Sequence, residues 1–367
     1  MDTMRLATIG TSVITDALIE AVSLTEGIEL VATYSRTEES ARAFAERHSA
    51  ALAFSSLNEL AASSEVDAVY LASPNAIHFE QALACVRAGK HVLVEKPLCA
   101  RRQDAEALFA AAHESGVVAL EAMRPMHDPA WIAVSRALAA GELGRVRRAS
   151  FRFGKYSSRY DEVLAGRQTN IFDARMATGA LMDIGIYCVE PAAALFGMPS
   201  RIMAAPALVA SAENEPTGGV IDGAGSVLCC YDEGSAAAGL VVELAYSKIS
   251  QDLLPSQIEG ELGTITLDAM SAPQLVTLTR RGMPDRAALT TKAAGGSCEQ
   301  LSASTCANNM VYELANFVRL VRGENVPTPW GELAAPVALE RYESCSLTAL
   351  AICDEVRAQA GIVFLGE

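Results

Sequence analysis

The sequence is short of basic residues: 29 stand against 44 acidic ones in 367, a net charge of −15. Such a field opposes phosphate backbones and anionic lipid, so neither a nucleic acid nor a membrane surface is an expected partner. No charge-free stretch approaches the ~18 apolar residues of a membrane span. The early apolar run from Leu6 to Ile14 has no clear basic leader, twin-arginine pair or small-residue cleavage site, and a cytoplasmic protein is expected. The nine cysteines contain no Cys-x-x-Cys pair and are odd in number. Several lie in apolar segments and read as small buried hydrophobes in a reducing compartment. The five histidines show no ligand spacing, so no metal is expected. No internal repeat is visible, and the length allows two or three domains with ample core.

What is present is a regular beat. Leu6 to Ile9 is an apolar strand ending at Gly10, and Ile14, Leu18 and Val22 then mark one face of a helix. Leu30 to Tyr34 is a second strand, Thr37 a cap for the next helix, and Ser56 with Glu59 a capping-box spacing. Ala68 to Ala72 is a fourth strand, closed by Ser73-Pro74-Asn75. His91 to Glu95 is the fifth, and Val117 to Glu121 completes the set after a helix over about 101–115. Strands alternating with helices imply a doubly wound parallel sheet over residues 1–122. From residue 123 to 367 the beat changes. A helix near 129–140 leads to a strand at 145–154, then a helix over 179–196. Strands follow at 201–209, 226–231, 237–246, 257–268 and 274–280, with Asp232-Glu233-Gly234 as a hairpin loop. Helices near 310–322 and 331–358 close the chain, and 293–304 reads as a loose polar loop. This pattern implies an α+β domain with a large, mostly antiparallel open sheet, whose face suits a homodimer or homotetramer contact.

Ligands in open α/β sheets sit at the carboxyl ends of the strands. Glu95, Lys96 and Pro97 stand at such an end, although taken alone they read as a solvated ion pair. The turn Gly10-Thr11-Ser12-Val13-Ile14-Thr15 occupies the place of a dinucleotide fingerprint but keeps only the first glycine of G-x-G-x-x-G. It still aims a helix N-terminus outward for a pyrophosphate, to which Ser12 can donate. The second strand ends in Ser35-Arg36 where an NAD enzyme carries a carboxylate, which favours NADP over NAD; a solvated arginine opening a helix is the plainer alternative.

On these motifs the chain resembles the Gfo/Idh/MocA oxidoreductases. Ala88-Gly89-Lys90-His91-Val92-Leu93-Val94-Glu95-Lys96-Pro97 matches the family signature AGKHVxxEKP. Ser73-Pro74-Asn75 with His78 matches its nicotinamide loop, and Gly179 to Tyr187 is similar to its G-x-L-x-D-x-G-x-H helix. Tyrosine in place of the final histidine, and Glu121-Ala122-Met123, resemble the glucose-fructose oxidoreductase and dimeric dihydrodiol dehydrogenase branch. The resemblance implies an N-terminal Rossmann domain and hydride transfer between NAD(P) and a sugar, polyol or related cyclic alcohol. Lys96, Tyr187 and Asp183 are then the expected catalytic residues. Tyr187 would be the proton-transfer group, workable as a base only if Lys96 stabilises its phenolate, since a phenol titrates at ~10. Asp183, four residues before Tyr187 and on its face, orients substrate or Lys96, and Gly185 permits close approach of the cofactor. Arg124, His127 and the loop 156–161 with Tyr160 are expected along the substrate cleft. Tyr187 seen alone is a half-buried helix tyrosine, and Pro191 bends or ends its helix. Two other outcomes stay open: a dinucleotide-binding sensor without turnover, and an enzyme holding its nicotinamide tightly between two sugars.

Overall fold

The computed structural model describes residues 3–211, 219–235, 237–282, 296–304 and 306–364. The first part holds strands β1 (Met4–Ile9), β2 (Ile28–Tyr34), β3 (Leu52–Phe54), β4 (Ala68–Leu71), β5 (His91–Glu95) and β6 (Ala119–Ala122). Between them run helices α1 (Val13–Ser23), α2 (Glu38–His48), α3 (Leu57–Ala62), α4 (His78–Arg87) and α5 (Arg102–Ser115). The sheet is wholly parallel, in the order β3-β2-β1-β4-β5-β6. Every residue of β4 is buried, as are Val92, Leu93 and Val94 of β5, because helices cover both faces of a parallel sheet. The order reverses between β1 and β4, which opens a crevice at their carboxyl ends. The local start signals hold: Thr37 accepts from the Ser40 amide at 3.3 Å and Ser56 from the Glu59 amide at 3.4 Å.

The second part begins with α6 (Pro129–Ala139), β7 (Val146–Gly154) and α7 (Ser158–Leu164). A π-helical turn, Leu181–Gly185, then feeds α8 (Ile186–Phe196). Seven strands follow: β8 (Arg201–Ala210), β9 (Val220–Cys230), β10 (Val241–Ser247), β11 (Ser256–Gly260), β12 (Gly263–Leu267), β13 (Leu275–Arg280) and β14 (Cys298–Ala303). The order is β14-β13-β12-β11-β7-β10-β9-β8; only β7 and β10 run parallel. Helices α9 (Met310–Arg322) and α10 (Ala335–Ala360) end the chain. Helix α10 packs against α8 and β8 and also against α5 and β6 of the first sheet, so the last helix fastens the two parts together. Glu343 on α10 pairs with His113 on α5 at 2.8 Å.

Several boundaries differ from the sequence reading. The segment 257–268 is two strands that turn at Glu261-Leu262, and Gly331–Leu333 is a short strand paired with Val326–Thr328 before α10 begins. Strand β9 starts six residues earlier than expected, and β10 starts only at Val241. Within 293–304, residues 298–303 form an edge strand on β13, while 293–295 lie outside the described residues. Exposed Cys298, Glu299 and Gln300 give that edge no apolar alternation to read. Helix α8 continues through Pro191. The segment Ala174–Phe196 is long and apolar enough to cross a membrane, but it is mostly buried inside the protein and carries Asp183 and Glu190.

Asp222 on β9 anchors the start of that helical segment by accepting the Leu181 amide at 2.6 Å. Gly179, just before it, has φ +99° and faces the Asp222 carboxylate where a Cβ would stand. Burial pushes the Asp222 carboxyl up to about 7. A carboxyl raised on folding stabilises fully below its ordinary value, and that stability is lost as pH rises through the folded value. Asp222→Asn retains an acceptor for Leu181 without the charge. Thermal melts are expected to show a smaller loss of stability between about pH 6 and pH 8 in the variant, by on the order of 1–2 kcal/mol.

Candidate active site

The carboxyl ends of β1, β2 and β4 meet at Gly10. Its amide reaches the Tyr34 carbonyl at 3.4 Å, its φ is +107°, and a Cβ there would stand 2.6 Å from the Ala72 carbonyl oxygen. Only glycine fits this crossing. Ser12 precedes α1 but makes no side-chain cap; its hydroxyl lies 3.4 Å from that of Thr15. Thr11, Ser12 and Val13 are exposed. Ser35 and exposed Arg36 follow β2 beside this turn.

A cleft of about 760 Å³ runs from Ser12 and Ile14 past Ser73, Pro74 and Asn75 to Lys96, Asp183 and Tyr187. His78 and Glu95 also border it. The Lys96 loop is fixed on three sides. Glu95 is buried and accepts from the Tyr70 hydroxyl at 2.5 Å, so it is not a solvated ion-pair partner. Burial raises the Glu95 carboxyl above its usual range despite Lys96 and Tyr70. The His78 ring bridges the Ser73 carbonyl at 2.8 Å and the Pro97 carbonyl at 3.0 Å, and burial lowers its pKa. Beyond Pro97, the Leu98 amide donates to Glu121 at 2.9 Å.

Lys96 donates across the cleft to the Asp183 carbonyl at 2.6 Å and to its Oδ1 at 3.2 Å. Lys248, which sequence reasoning missed, holds the other carboxylate oxygen. Burial would raise the Asp183 carboxyl, but the two ammoniums outweigh it and hold the group below its ordinary range. Burial likewise opposes the Lys96 charge, yet Asp183, Tyr187 and Glu95 together keep that ammonium above the usual lysine range. Tyr187 lies one turn beyond Asp183, as the four-residue spacing requires. The Lys96 ammonium is 5.1 Å from its ring centroid, and Arg124 donates to its hydroxyl at 3.2 Å. Burial lifts the phenol above its ordinary range, although Lys96 and Arg124 pull the other way.

Other expected residues stand elsewhere. Arg124 is behind Tyr187 and reaches Asn309 at 3.4 Å rather than bordering the cleft. His127 is buried among Asn316 and Tyr342, with its pKa lowered to about 3 by burial. Tyr160 packs on Phe172 and Tyr156, while Tyr156, Ser157, Ser158 and Arg159 of its loop do border the cleft. Gly185 faces the Tyr246 ring, where a Cβ would come within 3.0 Å, so its small size serves packing on β10. Lys248 had a faint signal: it is a lone cation just past the carboxyl end of an apolar strand.

Comparison with known proteins gives a consistent picture. A family model described as oxidoreductase family, NAD-binding Rossmann fold, matches residues 4–122, and one for the GFO/IDH/MocA C-terminal domain matches 131–266. The scyllo-inositol 2-dehydrogenase (NADP(+)) IolU of Bacillus subtilis is 37% identical over 361 residues, 98% of either chain. A dTDP-3,4-didehydro-2,6-dideoxy-alpha-D-glucose 3-reductase of Streptomyces violaceoruber is 31% identical over 74% of this chain and 75% of its own. A 3-ketoreductase from Actinomadura kijaniata, solved with NADP and TDP-benzene, superposes with a TM-score of 0.76 at 23% identity over 98% of each chain. The Gly10 crossing supplies the direct test of the nucleotide turn. Gly10→Ala is expected to weaken dinucleotide binding at least about tenfold in a fluorescence titration, because its Cβ forces β1 and β4 apart.

Proposed function

The chain belongs to the Gfo/Idh/MocA family of NAD(P)-binding oxidoreductases, and from that premise we propose an NADP-dependent dehydrogenase or reductase acting on a hydroxyl or carbonyl carbon of a sugar, polyol or related cyclic alcohol. The observation that carries the proposal is the meeting of Lys96, Asp183 and Tyr187 at one end of the cleft that starts at the Gly10 turn. The residues fit a dinucleotide: the Gly10 crossing has no room for a side chain, and the Ser12 hydroxyl is not spent on capping. Thr11, Ser12, Val13 and Ile14 would hold the pyrophosphate, and Ser73, Pro74, Asn75, His78 and Glu95 would border the nicotinamide ribose. Ser35 and Arg36 put no carboxylate against a 2′-phosphate, and Arg36 has no ion-pair partner among the described residues. The NADP(+)-named relative at 37% identity supports the same choice.

The bound nicotinamide supplies or accepts the hydride. Proton transfer falls to the protein. Tyr187 keeps its proton at neutral pH, as a phenol titrating at ~10 or above does, and burial raises it further, so in the reducing direction it is a ready donor to the forming alkoxide. Lys96 keeps its charge and stabilises negative charge on the substrate oxygen, while Asp183 fixes where that ammonium stands. In the oxidising direction Tyr187 must first ionise. Retention of both Lys96 and Tyr187 tells against a sensor without turnover. The open face of the large sheet, with Met203, Leu228 and Val241 exposed, supports a homodimer or homotetramer.

A coupled NADP/NAD screen over sugars, inositols and trans-dihydrodiols is the test, and absence of binding to both cofactors in calorimetry would defeat the proposal. Lys96→Met and Tyr187→Phe are each expected to lower kcat/KM about a hundredfold or more while cofactor binding persists. Oxidation is expected to accelerate as pH rises toward the raised Tyr187 pKa, with reduction level over the same range. NADP is expected to bind at least about tenfold tighter than NAD, and Arg36→Ala to narrow that gap.

A further inference from the structure

Lys248 is a buried cation of the cleft that the proton-transfer scheme leaves without a task. It follows β10, whose last residue Ser247 is in parallel register with Gly154 of β7. Its backbone is tied on both sides: its amide donates to the Gly223 carbonyl at 2.8 Å, and its carbonyl accepts the Ser157 amide at 2.9 Å. The side chain is only 11% exposed and borders the cleft. Among the described residues, Asp183 is its one hydrogen-bond partner.

An ammonium carries three donors. Asp183 takes one from Lys248, and unpaired donors in a partly buried site are costly unless a ligand or water meets them. Lys96 occupies the Oδ1 side of the same carboxylate and its main-chain carbonyl, and Lys248 the Oδ2 side. One carboxylate therefore sets the spacing between two ammoniums. Two ammoniums bond to one carboxylate, and Glu95 adds its field on the Lys96 side, so on the Lys248 side the donors that Asp183 does not take are free to meet electron-rich oxygens entering from the cleft. If Lys96 meets the reacting oxygen, a second ammonium on the same carboxylate faces the same cleft and is available to a neighbouring oxygen of that ring. The neighbouring wall is polar too, with Asn170, Thr178 and Ser157 bordering the cleft.

We infer that Lys248 is a specificity-determining residue that binds the hydroxyl on the carbon next to the reacting one, so the site selects substrates with vicinal oxygens over isolated alcohols and ketones. The inference rests on the oxidoreductase reading of the cleft and narrows its substrate class. Asp183 then serves as a ruler as well as an orienting group, because it holds the ammonium for each of the two oxygens.

The test uses NADP-loaded protein and three probes on one ring: inositol, the vicinal cyclohexanediol and cyclohexanol. Binding is read by calorimetry and turnover by nicotinamide absorbance. The wild type is expected to favour the two vicinal compounds over cyclohexanol by about tenfold or more. Lys248→Met is expected to erase most of that preference, chiefly through KM, and Lys248→Arg to restore part of it. A Lys248→Met protein that loses kcat equally on all three, with its preference intact, would show that Lys248 acts only through Asp183 and overturn the inference. A loaded wild type that does not bind the vicinal probes, or binds all three alike, overturns it as well. Should Lys248→Met fail to fold, Lys248→Gln answers the same question. Binding preference with no turnover on these probes or on any compound of the wider sugar, inositol and dihydrodiol screen would sink the proposed reaction and leave the Lys248 assignment standing, so the two failures are distinct.

Discussion

The ion pair between Lys96 and Asp183 is the joint on which the site depends. It links the end of β5 in the parallel sheet to the π-helical turn that opens α8 in the second part. A pair this far from solvent loses hydration on both partners, and the attraction offsets that loss only where geometry and further hydrogen bonds are good. Both conditions are met. Lys96 donates twice to the same residue, and Lys248 satisfies the remaining carboxylate oxygen. Neither end can drift, because Tyr70, His78 and Glu121 fix the lysine loop and Asp222 fixes the Leu181 amide. Holding two side chains at one spacing needs supports locked by packing and hydrogen bonds, and here they come from several separate elements.

Behind the joint lies a group of buried acids, Glu121, Glu190 and Glu313, whose carboxyls burial raises. Burial and the neighbouring Glu121 push the Glu190 carboxyl far up, and burial raises Glu121 as well. Glu121 in turn receives the Leu98 amide, which connects α8 through β6 to the loop after Pro97. Glu313 on α9 is also raised by burial, and Arg124 lies close enough to act against that rise. Two carboxylates facing each other in the core would repel strongly, which is why ionising one raises the cost of ionising the other. The same burial that raises the Tyr187 phenol thus raises these acids.

Local physics was legible in the chain, and long-range meetings were not. The strand beat of residues 1–122, the caps at Thr37 and Ser56, and the shared face of Asp183 and Tyr187 all follow from periodicity and spacing. Lys96 could be placed because a charged residue at the end of an apolar parallel strand stands where ligands bind. Glu95 could not be read beyond that, since its character is decided by Tyr70, twenty-five residues away on the next strand. His127 and Arg124 follow β6 as closely as a cleft residue would, but the chain turns them inward onto Asn316 and Asn309. Edge strand β14 escaped because an exposed edge has no buried face to enforce alternation. Lys248 escaped because a single lysine after a strand has no spacing to betray it.

The charge distribution completes the physical account. A chain with fifteen more acids than bases gathers Lys96, Lys155, Arg159 and Lys248 around one cleft, against the carboxyls of Glu95 and Asp183. Net charge governs solubility and nonspecific contact, whereas a low-dielectric cleft responds to the charges on its own walls. Within an acidic chain the cleft wall thus holds a local excess of positive charge, four cations to two acids. Lys155 and Lys248 leave two neighbouring parallel strands at the same register, just past Gly154 and Ser247. Only the second of them has a carboxylate partner among the described residues. The positive charge therefore continues from the Asp183 joint outward to exposed Lys155, so the ion pair that fixes the geometry of the site is also the inner end of its row of cations.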